Sequence, residues 1–327
     1  MTIIRKYLPM PIKKSFGPFL KIHIAVFLFG FTAILGKFIQ FNQLELVWHR
    51  LWIGVLGLLV IPKVIRGVFK IPKGTMMVYA GIGVIVCLHW VAFFGSIKLG
   101  NASIALSCMA TTTLFIAFLE PIITKSKFNW VEMILGLLVI IGIVLILNVG
   151  AVFYSSILTG LIAAFLAALF STFNKKYIGS NNSMSVSAIE LASGFIFLTL
   201  IFGVFKETSF QSLSLFRSDL VSDYALFGYN IHSFWYLIVL GFLCTSIAYA
   251  LALSSLKNIS AFSAGLAVNL EPIYGVAMAI LIFHENEDLN LSFYIGTSLI
   301  LLSVFIHPVA LKWMSKRQSR LLQSISK

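Results

Sequence analysis

Four ionisable side chains stand inside long apolar stretches of this 327-residue chain: Arg50, Glu120, Glu190 and Glu271. A charge at the centre of a bilayer costs at least about 2.5 kcal/mol on insertion scales, so each one asks for a functional reason. Glu271 lies about eleven residues into the apolar run that starts near residue 260, too deep to reach an interface. A carboxylate there can meet an amine on a solute or carry a proton; its other reading is a shielded hydrogen bond to a neighbouring helix. Arg50 and Glu190 hold nearly equivalent places in two similar stretches of the chain. They either pair as opposite charges or, in the case of Arg50, the side chain snorkels to the nearer interface. His89, next to Trp90 in a third apolar run, is the second candidate proton site after Glu271; its alternative is simple packing. Pro121 and Pro272 interrupt apolar runs, where each removes a backbone hydrogen bond and bends the helix, at a pathway or as plain architecture.

Charged residues make up 11% of the chain and hydrophobic residues 59%, with mean hydropathy +0.99. Soluble domains carry about 25% charged residues. The apolar stretches are continuous rather than alternating, which points to an all-α polytopic membrane protein and away from a β-barrel. The net charge of +13 sits in flanks of apolar runs, as insertion requires, so no nucleic-acid partner is expected. Cys87, Cys108 and Cys244 have no framework spacing, no metal-site spacing occurs, and no phosphate-binding glycine loop is present. Neither cofactor nor metal is expected, and ATP-driven transport within the chain is not.

The residues named above need elements to hold them. The spans expected from hydropathy are 22–39, 45–61, 76–97, 102–123, 130–148, 158–174, 186–205, 234–254, 260–283 and 291–310. Residues 76–123 as one helix would extend about 72 Å against a hydrocarbon core of about 30 Å, so they must be two spans. Nineteen lysines and arginines fall on one side of this arrangement and four on the other, which puts both termini in the cytoplasm. Loop 206–233 mixes apolar and polar residues and reads as an external surface segment or a short interfacial helix, and the run Glu285–Asp288 as a solvated external loop.

The segment ending at Lys98 and the segment ending at Lys257 repeat each other, a sequence offset of 159, and Phe31–Ile39 repeats at Phe170–Ile178, an offset of 139. Five spans per copy is an odd number, so the copies must lie upside down relative to each other. The expected organisation is an N-terminal cytoplasmic tail (1–21), a first five-helix repeat (22–148), a second (158–310) and a basic cytoplasmic C-tail (311–327). Inverted repeats in membranes are the build of secondary transporters, with the site at mid-bilayer between the copies.

Ala261 to Glu285 carries Glu271-Pro272 near the middle of a span and Glu285 at its end, and Ala248 to Leu253 precedes it. This pattern resembles the second repeat of EamA-type transporters of the drug/metabolite transporter superfamily, with His284 where glycine is usual. In the first repeat Thr112-Thr113 take the places of Glu271-Pro272, Ser126 stands at the acidic end, and a Glu-Pro occurs eight residues later at Glu120-Pro121. The resemblance implies a ten-helix inverted-repeat carrier that exports or imports small metabolites; the leading expectation is an exporter of a small organic metabolite in a bacterial cytoplasmic membrane, and no enzyme activity is expected. The rivals are a membrane-embedded enzyme acting on lipid-linked substrates and a non-transporting scaffold. On the carrier reading spans 1, 3, 4, 6, 8 and 9 line a central cavity. Trp90, Thr112, Tyr249, Asn269 and Glu271 form the pathway, Thr112 faces Glu271 across the pseudo-twofold axis, and a proton is a candidate coupling ion.

Overall fold

The computed structural model describes residues 16–126, 130–146, 151–205, 221, 231–268 and 270–325. These residues form helices α1 (Phe16–Phe38), α2 (Gln43–Leu59), α3 (Pro62–Val68), α4 (Lys73–Leu99), α5 (Ala102–Met109), α6 (Thr112–Thr124) and α7 (Trp130–Ile146). After them come α8 (Tyr154–Tyr177), α9 (Ser183–Phe205), α10 (Ser233–Gly241), α11 (Ala248–Leu256), α12 (Ala261–Val268), α13 (Glu271–Phe283) and α14 (Leu291–Ile325). No strand occurs among the described residues, only an isolated bridge between Val221 and His232. Most of loop 206–233, and with it the expected interfacial helix, lies outside the described residues, as does Asn269.

Among the described residues six helical stretches are long and apolar enough to cross a bilayer: Gly17–Phe38, Lys73–Leu99, Ala102–Thr124, Tyr154–Tyr177, Ser183–Gly203 and Ser233–Leu256. A seventh forms if α2 and α3, joined through a 101° bend, count as one; Ile134–Ile146, Glu271–Phe283 and Leu291–Ser303 are shorter apolar helices. Large apolar side chains such as Leu158, Leu200, Trp235 and Leu281 are more than half exposed, as a surface facing lipid rather than water allows. The chain is a multi-pass integral membrane protein.

The repeat is written into the helix ends. Asn42 caps α2 by accepting from the backbone of Leu44 and Glu45 (3.0 and 2.9 Å), and Asn182 accepts from Met184 and Ser185 (3.0 and 3.2 Å) at the start of α9. These satisfy N–H groups that the first helical turn leaves without partners. Asn101 does the same for Ile104 in α5 (2.9 Å), and Ser260 for Ser263 in α12 (3.0 Å). The bounds of α5 and α6, shifted by the longer repeat offset, are those of α12 and α13. Lys125 and His284, related by the same offset, follow α6 and α13 in the left-handed conformation (φ 58° and 55°). Glycine is the usual residue there because it has no Cβ to clash; here a lysine and a histidine take that conformation.

Spans 102–123 and 260–283, expected as single helices, are each broken in two. Both breaks carry the same tightened turn, Thr111 N–H to Cys108 O (3.0 Å) and Leu270 N–H to Ala267 O (3.1 Å). In the second copy Pro272 accounts for the break, since its ring would clash with the carbonyl four residues back. The first copy has no proline there. Instead the Thr113 hydroxyl donates to Ala110 O (3.3 Å), a carbonyl that the broken ladder frees, and the Thr111 hydroxyl adds a second donor to Cys108 O (2.7 Å). Pro121 lies ten residues further on, within α6, which runs on past it to Thr124.

Packing at the centre depends on small residues. A Cβ added at Gly83 of α4 would stand 2.1 Å from the carbonyl oxygen of Glu190 in α9, so the two backbones touch. Close approach of this kind is how membrane helices gain dispersion contact without a hydrophobic driving force. It also fixes the height at which Glu190 enters the bundle.

Candidate functional site

A cavity of ≈ 100 Å³ lies between the two halves, walled by α1, α2, α4, α5, α6, α8, α11, α12 and α13. Its polar rim holds Thr32, Arg50, His89, Thr112 and Glu271, and its aromatic wall Phe29, Trp90, Phe93, Phe170 and Tyr249. Of the expected pathway residues, Trp90, Thr112, Tyr249 and Glu271 share this one space.

Arg50 does not snorkel. It is 1% exposed, and its Nε donates to Thr245 Oγ1 (2.6 Å) and its Nη2 to Cys244 O (3.4 Å). Both acceptors lie on a π-helical turn, Phe242–Ile247, inserted between α10 and α11. A π turn departs from the regular hydrogen-bond ladder; here Thr245 and Ser246 hydroxyls reach back to Leu240 O (2.7 Å) and Gly241 O (3.1 Å), and Cys244 O accepts from the guanidinium. The guanidinium also lies over the Trp90 ring, 3.8 Å from its centroid, a contact worth up to about 2 kcal/mol when desolvated. In the expected span 45–61 Arg50 falls near the start, but in the 17-residue α2 it stands near the middle; the π turn that buries it belongs to the other half of the chain.

Arg50 and Glu190 each stand eight residues beyond their capping asparagines, yet they form no ion pair with each other. Glu190 instead accepts from the Tyr249 hydroxyl, in a short contact, and from Asn174 Nδ2 (3.3 Å). Trp90 and Tyr249 are related by the longer repeat offset, so Arg50 on Trp90 is mirrored by Glu190 on Tyr249. The two rings meet edge to face, centroids 6.1 Å apart at 68°. A guanidinium, two aromatic rings and a carboxyl group therefore run in series through the centre of the bundle.

Thr112 and Glu271 open α6 and α13, the half-helices that begin in mid-span. Both line the cavity. Glu271 makes no hydrogen bond or ion pair among the described residues, although Arg50 and Glu271 act on each other electrostatically. His89 Nδ1 lies 2.8 Å from Ala163 O, a contact only its N–H form makes, so the ring is tied to α8. Three cavity atoms are buried without a partner: Arg50 Nη1, Thr32 Oγ1 and Thr112 Oγ1.

Glu120 and Glu285 sit outside the cavity, and neither is what its sequence position suggests. Glu285 is 1% exposed rather than solvated. Its carboxylate accepts from Ala102 N (3.1 Å), Ser103 N (2.8 Å) and Ser103 Oγ (2.6 Å), and pairs with Lys37 Nζ (2.8 Å). It thus caps α5, a helix of the other half. Glu120 accepts from Ala261 N (3.2 Å) and Phe262 N (2.9 Å), capping α12 in return, with the charge of Lys175 close by. The two caps lie at opposite ends of the Ala102–Thr124 span. Hydropathy gives no sign of them; the signal available is the polar break before each half-helix.

The described helices form a duplicated multi-pass bundle around one central cavity. The EamA-like transporter family matches residues 18–148 and again 154–307, and the chain belongs to that family. No curated protein matches it. A solved structure titled only as a crystal structure of a protein aligns with a TM-score of 0.61 at 14% identity, covering 88% of this chain and 95% of that one. At that identity the likeness is one of fold alone.

Proposed function

We propose that this protein is a secondary carrier that exports a small organic metabolite by alternating access between two inverted five-helix repeats. Ten spans cross a bacterial cytoplasmic membrane, both termini lie in the cytoplasm, and residues 22–148 and 158–310 are the two moving bodies. The observation that carries this reading is the central cavity: equivalent residues of the two halves, Trp90 with Tyr249 and Thr112 with Glu271, meet on its wall. A site at the repeat interface near mid-bilayer, reached by half-helices, is the arrangement that alternating access uses. A buried carboxylate with no fixed partner, Glu271, would be an unexplained cost in a scaffold. An enzyme would gather its reactive groups at a membrane face, and here they gather at the centre.

The test is flux. Purified protein in liposomes loaded with a metabolite extract should release particular small solutes faster than protein-free liposomes do, and imposing a pH gradient should change that rate if a proton is the coupling ion. Release indistinguishable from empty liposomes for every solute would refute the carrier.

A further inference from the structure

A second set of buried polar groups stands behind the cavity wall, where α8, α9 and α11 meet. Glu190 and Asn174 are fully buried and Tyr249 is nearly so. Asn174 Nδ2 donates to Glu190 Oε2 (3.3 Å) and to the Tyr249 hydroxyl oxygen (3.2 Å), and the Tyr249 hydroxyl donates to the same Oε2. Every hydrogen that these three side chains can donate is then in use. Two acceptors are left over, Glu190 Oε1 and Asn174 Oδ1, both buried and without a partner among the described residues.

No cation on the neighbouring helices meets them. On α11 the titratable group is Tyr249 itself. On α4, Tyr79 acts on Glu190 electrostatically and Cys87 lies beside the α9 backbone at Gly194, but neither is positive. His89 is tied to Ala163 O, and the two lysines of α4 stand at its ends. On α2, Arg50 is committed to Thr245, Cys244 and Trp90, and His49 accepts from Trp52 (3.0 Å). Lys63 and Arg66 of α3 are exposed. On α8, Lys175 donates to Leu256 O (2.8 Å) and Ile259 O (2.7 Å), and Lys176 lies over the Tyr177 ring.

A buried water could donate to both leftover oxygens, yet it would leave a bare negative charge inside the bilayer. One proton taken from water onto Oε1 makes the carboxyl neutral and gives an O–H for which Asn174 Oδ1 is the free acceptor. The cluster also has a way in and a way out. The Tyr79 hydroxyl donates to Tyr177 O (2.7 Å) and accepts from Asn181 Nδ2 (2.9 Å), and Asn181 is only half-buried. Tyr79 thus links the α8–α9 turn to the cluster, and Tyr249 links the cluster to the cavity. We propose that Glu190 binds a single proton on Oε1 at a site separate from the solute cavity and, on the carrier reading given above, that this is the coupling proton, reported to the cavity through Tyr249.

Infrared spectroscopy of the purified protein in nanodiscs reads the proton directly. At neutral pH the carbonyl stretch of un-ionised carboxylic acid should contain a component that alkaline pH removes, that Glu190→Gln lacks and that Glu271→Gln keeps. Tyr249→Phe deletes a hydrogen bond to the carbonyl oxygen and should move that component to higher frequency, which keeps the test standing if Glu190→Gln does not fold. Identical spectra for wild type and folded Glu190→Gln would overturn the proposal, as would an unmoved component in Tyr249→Phe. So would a component removed at constant pH by sodium chloride and not by choline chloride, the mark of a metal-cation site. In liposomes loaded with a metabolite extract, an imposed pH gradient should change release by wild type and lose that effect in Glu190→Gln, with release in the absence of a gradient retained. A gradient effect equal in the two, or absent in wild type, would refute coupling through Glu190. Release no faster than from protein-free liposomes would refute the carrier reading instead, and the proton site then stands or falls by its infrared component.

Discussion

Replacing Glu285 with glutamine would remove one charge from a site where its carboxylate meets four donors. Both oxygens are engaged: Oε1 by Ala102 N and Lys37 Nζ, Oε2 by Ser103 N and Ser103 Oγ. Glutamine keeps one acceptor oxygen and turns an NH₂ group towards the other donors. Two hydrogen bonds to a charged group are therefore lost or inverted, at about 1.5 kcal/mol or more each. Lys37 is 22% exposed and can return to water, so its loss adds little. The sum is about 3 kcal/mol, or a factor of about 150 in the equilibrium between closed and open at that end of the bundle. Thr32→Cys places a thiol on the cavity wall. In membrane vesicles of known orientation, its labelling by an impermeant maleimide from the Glu285 side should speed up about a hundredfold when Glu285→Gln is added. Labelling from the opposite side should not. Equal rates with and without Glu285→Gln, in protein that remains folded, would show that this carboxylate does not hold the end closed.

The charge bias predicts that, with the native cysteines replaced, Arg66→Cys is not labelled from outside intact cells while Asp219→Cys is; the reverse pattern would invert the topology. Gly83→Ala should destabilise the protein by at least about 1–3 kcal/mol in thermal or denaturant unfolding, because the new methyl meets the Glu190 carbonyl and neither backbone can retreat freely. An unchanged melting point would mean that α4 and α9 are not in contact. Tyr249→Phe leaves Glu190 with Asn174 alone and should cost about 0.5–1.5 kcal/mol for the lost hydrogen bond, a difference that Glu190→Gln in the same background should largely abolish.

The repeat can be read directly from the chain, because both offsets survive in short polar breaks that no bilayer-spanning segment can absorb. Thr112 and Glu271 can be read as well, since the longer offset aligns them. The broken spans cannot: hydropathy averages over Ala110–Thr111 as easily as over Leu270, and proline marks only one of two equivalent breaks. Arg50 misleads for a different reason. Its depth follows from its own helix, but its burial follows from Trp90, on another helix, and from the π turn, in the other half of the chain. Glu120 is out of register in the sequence because Ser126, and not Glu120, stands at the repeat offset from Glu285. The contact it makes is nonetheless the counterpart of the Glu285 contact.

The crossed caps have a consequence for speed and direction. Both are made at once in this structure, each joining one half of the chain to the other. A rocking motion that opens one end has to break that end's cap and can keep the other. On the alternating-access reading proposed above, the preference for facing one side depends on the difference in strength between the Glu285 and Glu120 caps, while the barrier to passing from one side to the other depends on how strong each is. Strengthening both equally would slow turnover and leave the resting orientation where it was. Strengthening one would turn the carrier into a valve that waits on a single side.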